Sequence, residues 1–388
     1  MSTGIPAQRH VERLEGARRE AARAGLDALL IGVGADLRYL AGYEAHLMER
    51  LTLLVLPAAD GAPVTLVAPR LEATPARTCP AAVAGALEVA TWEETEDPMA
   101  LVATRLETAT GRPARASGAR SVSDGLRAAF VLGLQRVFPG AAFAVSSAVL
   151  RALRMRKDAD EVALLRRAAH AADRVIAAIA AGPLVGRTEA DVAREIRERL
   201  VAEGHEGAAF WIVASGPNSA SPHHDPGERV IGGGEAIVVD IGGTVDGYGS
   251  DITRTLWVTG PDAIAPDPVF LRLYAVLRDA QAAATAAVRP GVPCEAIDAV
   301  ARRRITDAGY GPQFFHRTGH GIGLEGHEEP YIVAGNAEPL AEGMAFSVEP
   351  GIYLEGRFGA RIEDIVVCGA SGPDPLNELA RDLLVVRG

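Results

Sequence analysis

Lysine is almost missing from this chain: Lys157 stands alone, and the remaining basic charge is nearly all arginine. That bias fits a GC-rich coding sequence and points to no function. Cysteine is scarce as well. Cys79, Cys294 and Cys368 lie far apart with no CxxC spacing, which argues against a disulfide framework or a thiolate zinc site and for buried free thiols in a reducing compartment. Long apolar runs are lacking too. The most apolar helical stretch, VIAAIAAGPLV at 175–185, is too short to span a bilayer and follows Asp173 and Arg174. The opening MSTGIPAQRHVERLEG has no apolar core of the secretory kind. A cytoplasmic chain with no membrane partner is expected. The formal charge of −11 lacks the basic excess of a nucleic-acid binder and otherwise speaks mainly to solubility.

The length of 388 residues suits two domains. Residues 1–153 alternate helical and strand patterns. VERLEGARREAARAG (11–25) has apolar residues at helical spacing and ends in Gly25. DALLIGV (27–33) reads as a buried strand, and LTLLVLP and PVTLVAP flank the turn signal Asp60-Gly61. A small α/β domain with a mixed sheet is expected. Residues 154–388 start with the charged break RMRKDADE. A helix at 159–181 follows, then a second helix opened by Thr188–Asp191, which resembles a capping box. Strands follow from 209, helices cover about 268–288 and 294–309, and MAFSVEPGIYL and RIEDIVVC return to strand.

Acidic residues then appear where packing alone would not put them. VVDIGGTVDGYGSDITRT (238–255) reads as a hairpin turning at Val245-Asp246, which would set Asp240 opposite Asp251 on one face, roughly 5 Å apart at Cβ. Two unpaired carboxylates so placed repel each other, and a divalent cation between them removes the cost. Asp246 itself reads as a turn residue. SVEPGIYL and ARIEDIVV each place a glutamate, Glu349 and Glu363, within an apolar strand pattern, although such residues are seldom buried unless paired. Asp364 should face away from Glu363. HRTGHGIGLEGH (316–327) concentrates three of the nine histidines among four glycines. Oxygen-rich ligation with one imidazole suits Mn²⁺, Co²⁺, Fe²⁺ or Zn²⁺, and a set of this size suits two ions about 3.5–4 Å apart.

The order and spacing of these residues resemble the pita-bread metallopeptidases: methionine aminopeptidase, aminopeptidase P and prolidase. The resemblance implies metal ligands at Asp240, Asp251, His320, Glu349 and Glu363. It implies further active-site histidines at His316, His327 and His223, with His224 the spare, and an arginine at Arg361. DLRYLAGY (36–43) and the N-terminal half are similar to the prolidase, aminopeptidase P and creatinase branch. The implied fold is an α/β N-terminal domain followed by an α+β pita-bread domain, a curved antiparallel sheet with helices on its outer face. The implied cofactor is a pair of divalent ions, Mn²⁺ first, and the implied assembly is a homodimer.

The activity so implied is hydrolysis of Xaa-Pro bonds in short proline-containing peptides, with a dipeptidase placed ahead of aminopeptidase P. Glu349 would shuttle the proton, His327 or His223 would meet the oxyanion, and Arg361 would orient carboxylates or contact substrate. Many prolidases carry an arginine where this chain has Tyr331, which leaves the partner of the product carboxylate open. Either a longer peptide is cut or another cation substitutes, Arg50 across a dimer interface being one candidate. A metal-free C–N hydrolase, a lyase on the same fold, and a non-catalytic binding module are the other classes. Loss of ligands would mark the metal-free and binding classes, and all five are kept.

Overall fold

A computed structural model describes residues 4–387, and the chain divides into two compact units on either side of the Arg154–Met155 bond. The first unit begins with α1 (Ala7–Arg23), whose apolar stripe buries Leu14, Ala17 and Ala21. Gly25 follows with φ 70°, a conformation that ends the helix at little cost to glycine. The strands are β1 (Ala28–Gly32), β2 (Leu53–Pro57), β3 (Thr65–Pro69), β4 (Glu88–Trp92), β5 (Gly118–Val122) and β6 (Ala141–Val145). They form one sheet in the order β4-β3-β2-β1-β5-β6. The pairs β1–β2 and β2–β3 are antiparallel, while β1–β5, β3–β4 and β5–β6 are parallel, so the sheet is mixed.

The second unit opens with α2 (Ala159–Ala181), capped by Asp158 and Glu161 in a reciprocal box, and α3 (Glu189–Ala202), capped by Thr188 and Asp191 in the same way. Both helices pack on a sheet of β7 (Gly207–Ser215), β8 (Glu235–Val245), β9 (Tyr248–Gly249) and β10 (Ile252–Val258). A second sheet contains β11 (Gly319–Gly321), β12 (Glu328–Ile332), β13 (Ala345–Val348), β16 (Asp364–Gly369) and β17 (Gly372–Pro375). Between β13 and β16 come β14 (Gly351–Leu354) and β15 (Phe358–Arg361), which pair with each other, and β18 (Leu384–Val386) runs parallel to β10. The helices α4 (Pro268–Ala286) and α5 (Cys294–Asp307) share one core with the second sheet. Phe270, Leu273, Tyr274, Leu277, Ala280 and Ala284 of α4 recur at helical spacing, and all are buried.

Three expectations need correction. The hairpin turns at Asp246-Gly247, with φ 50° and 80°, so Val245 pairs with Tyr248 and Asp240 faces Thr253. Asp251 is therefore a diagonal neighbour of Asp240, not its opposite. Positive φ at both turn positions is the two-residue geometry that matches strand twist, and Asp-Gly supplies it where Val-Asp cannot. Glu349 and Glu363 lie in the breaks β13–β14 and β15–β16, not inside strands. The breaks free both carboxylates from strict alternation. Asp364, at the start of β16, does turn the other way and is buried against Arg254 at 2.7 Å. Among the described residues no helix is long and apolar enough to cross a membrane, and the three cysteines are buried and form no disulfide.

Candidate metal centre

The segment 316–327 enters β11 along a path only glycine can follow. A Cβ on Gly319 would lie 1.8 Å from the Ser347 carbonyl oxygen, and one on Gly321 would lie 2.2 Å from that of Glu329. This close approach delivers the buried His320 ring among the acidic groups. Its Nδ1 lies 3.1 Å from the Gly321 carbonyl. A carbonyl only accepts, so Nδ1 carries the hydrogen and Nε2 presents a lone pair. That Nε2 is 3.3 Å from Glu349 Oε1 and 3.6 Å from Asp251 Oδ2.

An imidazole lone pair facing carboxylate oxygens calls for positive charge between them. A proton on His320 is disfavoured, because burial and the neighbouring His327 push its pKa down to about 3. Ligand atoms of Asp251, His320 and Glu363 lie within 4.8 Å of one another. Burial, then repulsion from Asp240 and Glu349, raises the Asp251 pKa well above the usual carboxylate range. Burial, then Asp251, does the same to Glu363. Burial pushes Glu349 up to about 7. Asp240 keeps one carboxylate oxygen, Oδ1, buried without a hydrogen-bond partner. Acids that resist ionisation, an orphaned oxygen and a directed lone pair all fit divalent cations.

Other contacts hold this set in place. Thr253 donates to Glu363 at 2.7 Å, and Ser347 donates to Glu349 at 3.1 Å. Arg361, buried at the end of β15, donates to Asp240 Oδ2 at 2.5 Å, to Thr253 Oγ1 at 3.1 Å and to the Tyr353 hydroxyl at 2.8 Å. His316 Nδ1 donates to the Arg317 carbonyl at 2.7 Å, so its Nε2 accepts from the Tyr353 hydroxyl at 3.1 Å. Burial, then Arg361, lowers the His316 pKa to about 4, which keeps this ring neutral. A chain Asp240–Arg361–Tyr353–His316 results. Sequence reading missed Tyr353, although it sits four residues after Glu349 in EPGIY.

All five candidate ligands line one cavity of about 980 Å³, together with His223, His316, His327, Arg317 and Arg361. Phe210, Trp211, Ile212 and Phe315 give it apolar walls. His223 is exposed on the loop after β7. His224 is not the solvent-facing spare expected: its Nε2 lies 2.7 Å from Glu189, a fully buried carboxylate at the start of α3. His327 stacks on His320 with ring centroids 3.8 Å apart, and burial, then Arg317, lowers its pKa. Tyr331 is not among the cavity-lining residues; its ring carries the Arg317 guanidinium 4.5 Å away. Arg50 belongs to the first unit and is paired with Glu49 and Glu94, each at 2.6 Å.

Residues 163–370 match Metallopeptidase family M24, and residues 13–156 match the Creatinase/Prolidase N-terminal domain. The chain belongs to metallopeptidase family M24. It is 47% identical over 386 residues to a probable dipeptidase PepE of Mycobacterium tuberculosis, covering 99% of each chain. It is 33% identical over 365 residues to an Xaa-Pro dipeptidase of Lactobacillus delbrueckii subsp. lactis, covering 93% of this chain and 95% of that one. The crystal structure of dipeptidase PepE from Mycobacterium ulcerans superposes with a TM-score of 0.91 at 46% identity, over 99% of this chain and 100% of that one. The two domains therefore follow the prolidase and aminopeptidase P branch of the pita-bread fold.

Proposed function

We propose that this chain is a metal-dependent Xaa-Pro dipeptidase. The observation that carries the reading is the His320 lone pair directed into a buried acidic cluster, in a cavity that histidines and arginines also line. Asp240, Asp251, His320, Glu349 and Glu363 would hold two divalent ions, and a donor set rich in oxygen with one nitrogen suits Mn²⁺. When bound, such ions supply Lewis acidity and a hydroxide at neutral pH.

The chain's own groups do the rest. Glu349 reaches into the cavity and is positioned to take a proton from the attacking water and pass it to the prolyl nitrogen. Cleavage of an Xaa-Pro bond expels a secondary amine, so this delivery is required. His223 and His327 face the cavity and can donate to the carbonyl oxygen as it gains charge. Arg361 fixes the Asp240 carboxylate and, through Tyr353, the His316 ring. The apolar wall of Phe210, Trp211 and Phe315 suits a proline ring and the side chain before it. A metal-free or purely binding role would need none of the five ligand positions kept. Mn²⁺ as native metal, a cytoplasmic setting and a homodimer are proposed on the family resemblance, and sedimentation would test the last.

Product analysis by mass spectrometry tests the reading. Protein loaded with Mn²⁺ is offered Ala-Pro and Ala-Pro-Ala together. Proline released from Ala-Pro is the expected result. Cleavage mainly of the tripeptide would make the enzyme an aminopeptidase P, and cleavage of neither, with metal bound, would refute the proline-peptidase reading.

A further inference from the structure

A dipeptide presents a free carboxylate one residue beyond the bond to be cut. If that carboxylate is selected, the cavity must hold a cation not already neutralised. Arg361 does not qualify, because it is buried and paired with Asp240 at 2.5 Å. Arg317 does. It lines the cavity, and among the described residues no carboxylate pairs with it. Its guanidinium is held by neutral groups alone: it lies 4.5 Å over the Tyr331 ring, and Nη2 donates to His327 Nδ1 at 3.2 Å.

We infer that Arg317, seated on Tyr331, binds the C-terminal carboxylate of the substrate and so selects dipeptides. Stacking on an aromatic face fixes the plane of a guanidinium and leaves its in-plane N–H groups available. That fork matches a carboxylate in bidentate fashion. The distance is also suitable. Arg317 touches His327, which stacks 3.8 Å from His320, and His320 meets the acidic cluster. The His327 and His320 rings thus separate the guanidinium from the cluster, which leaves room for the one residue, ~3.8 Å from Cα to Cα, that lies beyond the cleaved bond. Position 331 contributes the platform, not the charge. This inference rests on the dipeptidase reading and names the group that gives it specificity.

The test compares Ala-Pro with Ala-prolinamide, which lacks the negative charge, on metal-loaded wild type, Arg317→Met and Arg317→Lys. A lost charge-assisted bidentate contact corresponds to about 10–100-fold. The preference for Ala-Pro over its amide should fall by that factor in Arg317→Met, mainly through KM, with partial retention in Arg317→Lys. Calorimetric titration with proline and prolinamide gives a readout independent of turnover: wild type should favour proline, and Arg317→Met should not. An unchanged preference, or equal losses on acid and amide, would overturn the assignment. So would a collapse of the preference in Arg50→Ala but not in Arg317→Met. Wild type that cleaves neither compound would remove the dipeptidase reading and this inference together. Wild type that cleaves Ala-Pro, with Arg317→Met keeping its preference, would remove this inference alone.

Discussion

Glu189 opens α3 fully buried, yet it belongs to no candidate ligand set. It accepts from the Ser215 backbone N–H and hydroxyl, both at 2.7 Å, from Asn218 at 3.0 Å and from His224 at 2.7 Å. Ser215 ends β7, and Asn218 and His224 lie on the segment after it, which carries His223 to the cavity. Replacing Glu189 with alanine leaves the Ser215 N–H and hydroxyl buried without this acceptor, at about 1–3 kcal/mol each, while Asn218 and His224 can rehydrate in part. A loss of about 3–5 kcal/mol is expected. For a unit of this size that is roughly 6–20 °C in Tm. The hydrogen bonds outweigh the effect of burial and hold the Glu189 carboxyl below its ordinary pKa. Its contribution is therefore complete at neutral pH and is lost as pH falls below the usual carboxylate range. Thermal denaturation of wild type, Glu189→Ala and Glu189→Gln from pH 7 down to pH 3 measures this, and kcat/KM on Ala-Pro should fall with the loosened loop. A Glu189→Ala variant within about 1 kcal/mol of wild type, or a Glu189→Gln difference unchanged by acid, would refute the anchoring argument.

The sole lysine, Lys157, is buried against Glu328, the residue after His327. Lys157→Ala should cost about 3–5 kcal/mol in urea unfolding, because removing one partner of a buried ion pair is strongly destabilising; a change under about 1 kcal/mol would show the pair to be dispensable. Glu349 should make the metal-free protein less stable as pH rises. It keeps its proton to about pH 7 in the fold but only to about 4.5 when unfolded, so the folded state binds more protons in that window and loses up to about 3 kcal/mol across it. Melting in EDTA at pH 5 and 7.5, compared with Glu349→Gln, should show the gap between the two proteins closing or reversing at the higher pH, and a pH-independent gap would contradict it. Tyr353→Phe cuts the contact between Arg361 and His316, and kcat should fall about 10-fold with KM little changed; a loss in KM alone would assign Tyr353 to substrate binding instead.

How much of this was legible in the sequence depends on how local the signal is. The capping box at Thr188 and the stop at Gly25 are set by a few adjacent residues, and the helices start and end where those residues say, whereas the box at Asp158 lay within what reads only as a charged break. The hairpin register was one step out because Val245-Asp246 and Asp246-Gly247 look alike until the positive φ at both turn positions decides between them. The breaks at Glu349 and Glu363 were hidden by apolar neighbours that read as continuous strand. Glu189, Tyr353 and Arg317 acquire their roles only through tertiary neighbours. Arg317 needed β12 laid beside β11, with Thr318 N–H bonded to the Ile332 carbonyl at 3.0 Å, before Tyr331 could lie beneath it. The five ligand candidates were readable because each sits in its own short motif.

Charge balance links the metal centre to the choice of substrate. Asp225 lines the cavity outside the ligand set, while within that set Asp240, Asp251, Glu349 and Glu363 bring four negative charges and Arg361 offsets one of them through Asp240. The three that remain would be matched by two divalent ions together with one hydroxide. Arg317 lines the same cavity half-buried and, among the described residues, pairs with none of these carboxylates, Asp225 included. A free substrate carboxylate cancels its charge, whereas an amide or an extended peptide does not. Because the guanidinium is only half-buried, the preference for Ala-Pro over Ala-prolinamide should fall as salt rises, and a preference unchanged between low and high salt would argue against the ion pair.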